Sequence, residues 1–189
     1  MPACAILATL TLATGCDLFS TRTPEPPGGD VVPFLQPDTP ERVVENLQTA
    51  VNELSEQNYV RSLSDAFTFQ PTVDAEAREP LVWSNWSVTE ERAYFDRLRA
   101  AAGPFDERSL QLIDVKRTAV DDERFVVDAT YLLRIPHSRS DEGIPIEVQG
   151  QLIWTLVRGT DGLWRLAAWT DQALGSEPAW SDLKAAFFQ

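Results

Sequence analysis

Two long runs of strict alternation constrain this chain more than any other feature. Phe125, Val127, Ala129, Tyr131, Leu133 and Ile135 take every second position, against Val126, Asp128, Thr130, Leu132 and Arg134. Ile144, Ile146, Val148, Gly150, Leu152, Trp154 and Leu156 repeat the pattern further on. A period of two places one set of side chains on each face of an extended strand. The apolar face must then be buried against something, and its length demands a wide partner surface. Two further strands flank this pair. Leu110 to Val120 is mixed apolar and polar, and Gly159-Thr160-Asp161-Gly162 is a tight turn into Leu163 to Asp171. Short connections make all four antiparallel neighbours.

The partner surface comes from helices. Thr39 is an N-cap, Pro40 takes the first helical position, and Glu41 sits near the positive end of the dipole. Val43, Leu47, Ala50, Val51 and Leu54 form one apolar stripe, with Asn46 among the polar residues assigned to the other side. A short helical turn is expected over Asn58 to Leu63, a short strand over Phe67 to Phe69, and a polar loop over Gln70 to Pro80. Ser87-Val88-Thr89-Glu90 is a capping box that starts a second long helix. That helix buries Tyr94, Phe95, Leu98 and Ala102 and stops at Gly103-Pro104. Trp180, Leu183 and Phe187 suggest a closing helical turn. Helices followed by consecutive strands define an α+β chain with helices on one face of a curved antiparallel sheet.

This order resembles the NTF2-like, or cystatin-like, α+β fold over residues 39 to 189. Three local features carry the resemblance. They are the entry Thr39-Pro40-Glu41-Arg42-Val43-Val44-Glu45-Asn46-Leu47 with Asn58-Tyr59 and Leu63-Ser64-Asp65, the hairpin Asp161 to Asp171, and the tail Ala179-Trp180-Ser181-Asp182-Leu183-Lys184. The resemblance implies a cone between sheet and N-terminal helices. Catalytic members of that fold work in the cone with a carboxylate base and polar groups that hold an oxyanion. The same fold also hosts transport factors and plain scaffolds, so fold alone assigns no function.

Candidates for such chemistry are Tyr59, Asp65, Tyr94, Asp114, Asp128 and Tyr131. Of these, Tyr59, Tyr94, Asp128 and Tyr131 are the candidate pocket residues. Asp128 and Tyr131 fall on opposite faces of one strand, so at most one enters the cone. Tyr94 on a buried helix face is more simply a core tyrosine, and Asp65 at a turn is more simply a cap. No set matches an isomerase pattern, and no residue is assigned a catalytic role. His137 is expected in a solvated loop from Pro136 to Gly143. Asp121-Asp122-Glu123 lacks the calcium-loop spacing and reads as a turn. One histidine and two cysteines, Cys4 and Cys16, exclude a multi-histidine or thiolate metal site in the domain, and no cofactor is implied. Six tryptophans are expected mostly in the core, with an open sheet face as the alternative place, where they would serve a homodimer or an envelope protein partner.

Residues 1 to 15 are apolar, small and too short for the roughly 20 residues of a spanning helix. They have the length of a signal-peptide core. Leu12-Ala13-Thr14-Gly15-Cys16 resembles a bacterial lipobox. The resemblance implies cleavage after Gly15, lipid on the Cys16 sulfur and a membrane anchor, with the domain in the periplasm or outside the cell. Residues 16 to 38 read as tether, because Pro24, Pro26, Pro27, Pro33 and Pro37 with Gly28 and Gly29 deny it ladder or helix. Phe34-Leu35 either docks on the domain or stays part of a loose linker. A formal net charge of -13 repels phosphate backbones and lowers nucleic acid among partners. The expectation is a non-enzymatic, lipid-anchored binding module, with a pocket isomerase or dehydratase as the alternative.

Overall fold

The computed structural model describes residues 32–103 and 106–189, and the segment Val32–Gln189 forms one compact unit. The expected signal peptide, the lipidation at Cys16 and the tether up to residue 31 lie outside the described residues.

Helix α1 (Pro40–Asn52) starts where Pro40 fixes φ, and buries Val43, Val44, Leu47, Ala50 and Val51. Thr39 precedes it with an extended backbone, but its side chain makes no cap hydrogen bond. Helix α2 (Glu56–Arg61) follows, capped by the Ser55 hydroxyl. Strand β1 (Leu63–Gln70) is longer than the expected Phe67 to Phe69, and it contains Asp65, exposed, where a turn was expected. The segment after it is no loop. Thr72 caps a helix α3 (Val73–Arg78), and Pro80 opens the single turn α4 (Pro80–Trp83). Polar composition hid these because only Ala75 and Trp83 are buried, with Val82 half-buried beside them. Helix α5 (Val88–Ala101) begins with the Ser87–Glu90 capping box.

Strands β2 (Ser109–Ala119), β3 (Arg124–Arg134), β4 (Glu147–Arg158) and β5 (Trp164–Ala173) complete the sheet, in the order β1-β5-β4-β3-β2. β2 to β5 pair antiparallel, but β1 lies parallel to β5, so the sheet is mixed. Bulges interrupt the β1–β5, β2–β3 and β4–β5 ladders, and Asp114 sits at the second with φ 53°. Bulges bend a strand and raise its twist, which curls this sheet into a cone. Helix α6 (Trp180–Phe188) packs on α5 across the cone.

Residues 32–38 lie against the domain. The Asn46 side chain grips the backbone of Leu35 on both sides of its α-carbon, accepting from its N–H at 2.9 Å and donating to its carbonyl at 2.7 Å. Asn58 Nδ2 donates to the carbonyls of Val32 and Pro33 at 3.0 and 3.3 Å. The Arg61 guanidinium lies 4.0 Å from the Phe34 ring centre, and the Trp164 N–H donates to the Pro37 carbonyl at 2.7 Å. Asn46 is therefore buried, contrary to the polar side expected for it.

Candidate functional site

The cone is where the fold could hold chemistry, and side chains fill its centre. Tyr59, Tyr94, Tyr131, Phe95, Trp154, Trp169 and Trp180 are all at most 1% exposed. Tyr59 stacks on Phe95 at 4.1 Å, and Trp169 meets Trp154 and Trp180 edge to face. Each such pair adds about 1 kcal/mol beyond area burial.

Two carboxylates enter this aromatic mass. Glu91 on α5 is fully buried and forms an ion pair with Lys184 of α6, also fully buried. Its Oε1 also accepts the Tyr59 hydroxyl at 2.5 Å, and its Oε2 accepts the Trp86 indole N–H at 2.6 Å. Lys184 Nζ lies 4.0 Å from the Trp169 ring centre and 4.1 Å from that of Phe69. Burial pulls the Lys184 ammonium down to about 8, against the opposing pull of Glu91. Burial pushes the Tyr59 and Tyr94 hydroxyls up, with the Glu91 charge next in effect.

The second carboxylate is Asp171 on β5. Its Oδ1 accepts the Tyr131 hydroxyl at 2.8 Å, and its Oδ2 accepts the Ser181 N–H and hydroxyl at 2.7 and 2.6 Å. The Tyr131 oxygen in turn accepts the Trp180 N–H at 2.6 Å. Burial raises the Asp171 carboxyl, while its bonds to Ser181 and Tyr131 hold it back. Burial also pushes the Tyr131 hydroxyl far up, with Asp171 adding to the effect. The pair thus fixes the first turn of α6 instead of facing open space.

Of the four candidate pocket residues, the fold brings Tyr59, Tyr94 and Tyr131 into the cone and leaves Asp128 out. Asp128 is on the outer face of β3, where its carboxylate accepts the Gln151 amide at 2.6 Å. Asp65 and Asp114 are exposed, the latter on the bulge. His137 is not solvated as expected. It is 7% exposed, its ring stands edge-on to Phe187 at 4.9 Å, and its Nε2 lies 3.2 Å from the Pro145 carbonyl. All six tryptophans are buried, so the outer sheet face carries none. That face bears Val126, Leu132 and Ile153 among Thr130, Gln151 and Thr155. Glu123 N–H donates to Asp121 Oδ1 at 2.9 Å, the mark of a local turn.

Sequence reasoning missed Glu91, Lys184 and Asp171. The signal was present in the periodicity. Glu91, Tyr94, Phe95 and Leu98 share helical spacing, as do Trp180, Leu183, Lys184 and Phe187, and Asp171 has the parity of Trp169. A charge inside an apolar stripe requires a partner, and these three found theirs.

Outside the cone, a groove of about 440 Å³ runs between α3, α6 and the turn near Gly143. Within it Arg78 pairs with Asp182 and Arg139 with Glu142, and Glu79 accepts the Gln189 amide at 2.6 Å. No group of metal-ligating side chains is assembled among the described residues, and none of their helices is long and apolar enough to cross a membrane.

No protein-family model matches the chain, and no curated protein does. Solved structures do. A provisionally assigned aromatic ring hydroxylase from Novosphingobium aromaticivorans superposes with a TM-score of 0.58 at 12% identity, covering 76% of this chain and 92% of its own. An NTF2-like protein of unknown function in nutrient uptake from Rhodospirillum rubrum gives 0.52 at 15% identity, covering 70% and 96%. A provisionally assigned scytalone dehydratase from Novosphingobium aromaticivorans gives 0.53 at 10% identity, covering 74% and 89%. The fold is NTF2-like, α+β, with a curved five-stranded sheet. At these identities the similarity extends to the fold alone.

Proposed function

We propose that this chain is a lipid-anchored envelope protein whose NTF2-like domain binds a protein partner and turns over no substrate. The closed centre of the cone carries the reading. A general base must reach a substrate proton. Here Glu91 and Asp171 spend their oxygens on Tyr59, Trp86, Lys184, Tyr131 and Ser181. What stays available is the outer sheet face, where Ile113 is 45% exposed beside Thr130 and Leu132. A second copy of the chain or another envelope protein would dock there. The anchor rests on the lipobox-like Leu12 to Cys16, and two or three acyl chains would hold where a single one is marginal.

The test is intact-mass analysis of the full chain extracted from membranes, beside Cys16→Ser. A mass for residues 16–189 plus acyl chains, with the variant unprocessed, is the expected result. An unmodified mass retaining Met1 removes the anchor and the envelope with it.

One observation favours a pocket enzyme instead. Tyr131 and Asp171 form a hydroxyl–carboxyl pair with a raised carboxyl, which acid–base catalysis in such cones could use. Turnover of a small carbonyl or hydroxy compound by the purified domain, lost in Asp171→Asn, would put that reading in place of ours.

A further inference from the structure

The group at the centre of the cone is a cation, set among four aromatic rings and one carboxylate. Lys184 Nζ lies 4.0, 4.1, 5.3 and 5.8 Å from the ring centres of Trp169, Phe69, Tyr94 and Trp86. Its charge is met by Glu91, which the Tyr59 hydroxyl and the Trp86 indole orient. Aromatic faces around a carboxylate form a receptor for an ammonium group, since each ring presents its negative face to the charge. None of the receptor comes from α6. Phe69 belongs to β1, Trp169 to β5, Glu91 and Tyr94 to α5, Tyr59 to α2, and Trp86 precedes α5. The cation alone is delivered by α6.

We infer that the centre of the cone is a binding site for an organic ammonium compound, filled in this protein by the Lys184 side chain, with α6 as its plug. The site needs its cation. Tyr59 and Trp86 donate to Glu91 without cancelling its charge, and an unpaired buried carboxylate is strongly unfavourable. Any event that withdraws α6 would leave an anionic aromatic box open to a primary or quaternary ammonium. The inference rests on the filled cone of the preceding reading. It is independent of the lipid anchor and of the sheet face.

Lys184→Ala in the full chain removes the three outer carbons and the nitrogen of the side chain, which is the outline of n-propylammonium. The Tm of this variant is followed against n-propylammonium and against the neutral 1-propanol, converting each concentration dependence to a Kd. The expected result is at least a tenfold preference for the ammonium, no response from the wild-type chain, and loss of the preference in Glu91→Gln/Lys184→Ala. If Lys184→Ala does not fold in buffer, the same comparison is read as recovery of near-UV circular dichroism on refolding with either compound. Equal effects of amine and alcohol in either format overturn the inference, as does a wild-type response equal to that of the variant. Mass analysis of the anchor is unaffected by any of these outcomes.

Discussion

The Tyr131 hydroxyl occupies the space that a β-carbon on Gly150 would need. The two residues face each other across β3 and β4, and an added β-carbon would come within 2.5 Å of that oxygen and 2.6 Å of the Gln172 carbonyl. Gly150 is thus the gap in the β4 apolar row through which Tyr131 reaches Asp171 and the Trp180 amide. Gly150→Ala should cost about 2–3 kcal/mol by overpacking, because backbone on one side cannot yield. Urea unfolding checks it. A midpoint equal to wild type would mean that Tyr131 does not lie over Gly150.

A second expectation concerns the clamp on residues 32–38. Asn46 pairs with both backbone polar groups of Leu35. Asn46→Ala should lose about 1–2 kcal/mol for two partly buried hydrogen bonds. Hydrogen exchange at the Leu35 amide should accelerate by at least tenfold while the β3 and β4 amides keep their protection. Unchanged exchange at Leu35 would show that the segment is held by its other contacts, those of Asn58, Phe34 and Pro37.

The ion pair in the core allows a sharper test. Glu91→Gln strands a buried ammonium, and Lys184→Met strands a buried carboxylate, so each single change should cost about 3–5 kcal/mol. The double variant strands neither and should be more stable than the sum of the two losses predicts, by at least about 2 kcal/mol. Strict additivity in denaturant unfolding would mean that Glu91 and Lys184 do not touch.

How much of this was legible beforehand follows from what each residue answers to. The strands β3 and β4 and the capping box of α5 obey local rules, so periodicity and spacing located them. Helices α3 and α4 have one fully buried residue each in Ala75 and Trp83, too little stripe to register. The parallel pairing of β1 with β5 is a long-range choice that no local pattern states. Tyr59, Tyr94 and Tyr131 were visible as large side chains on apolar faces. Their real partners, Glu91, Lys184 and Asp171, were passed over because the stripes were read from apolar residues alone, which leaves a charge at the same spacing uncounted. His137 misled for the opposite reason. Its polar neighbours Ser138, Arg139 and Asp141 suggested solvent, yet Phe187 covers it from another element.

The last expectation is a pH dependence whose sign follows from Lys184. Burial lowers its ammonium from 10.5 to about 8 in the folded chain, so the folded state releases this proton earlier than the unfolded state does. Between those values the unfolded chain holds more protons, and stability rises with pH. Below about 8 both states are protonated, and the full cost of burying the charge is present. The rise amounts to at most about 3 kcal/mol across the whole interval. Buried Tyr59, Tyr94 and Tyr131 act in the other direction, since their raised hydroxyls keep protons that the unfolded chain gives up above 10. Asp171 works the same way in the acid range, where its raised carboxyl makes stability fall as pH rises. Measurements from pH 7 to about 9.5 therefore isolate the lysine. Over that interval the wild-type chain should gain stability relative to Glu91→Gln/Lys184→Met, which lacks the titrating lysine. A difference that stays flat, or that falls, would mean that Glu91 holds the Lys184 proton against burial and that the attraction within the pair outweighs its desolvation.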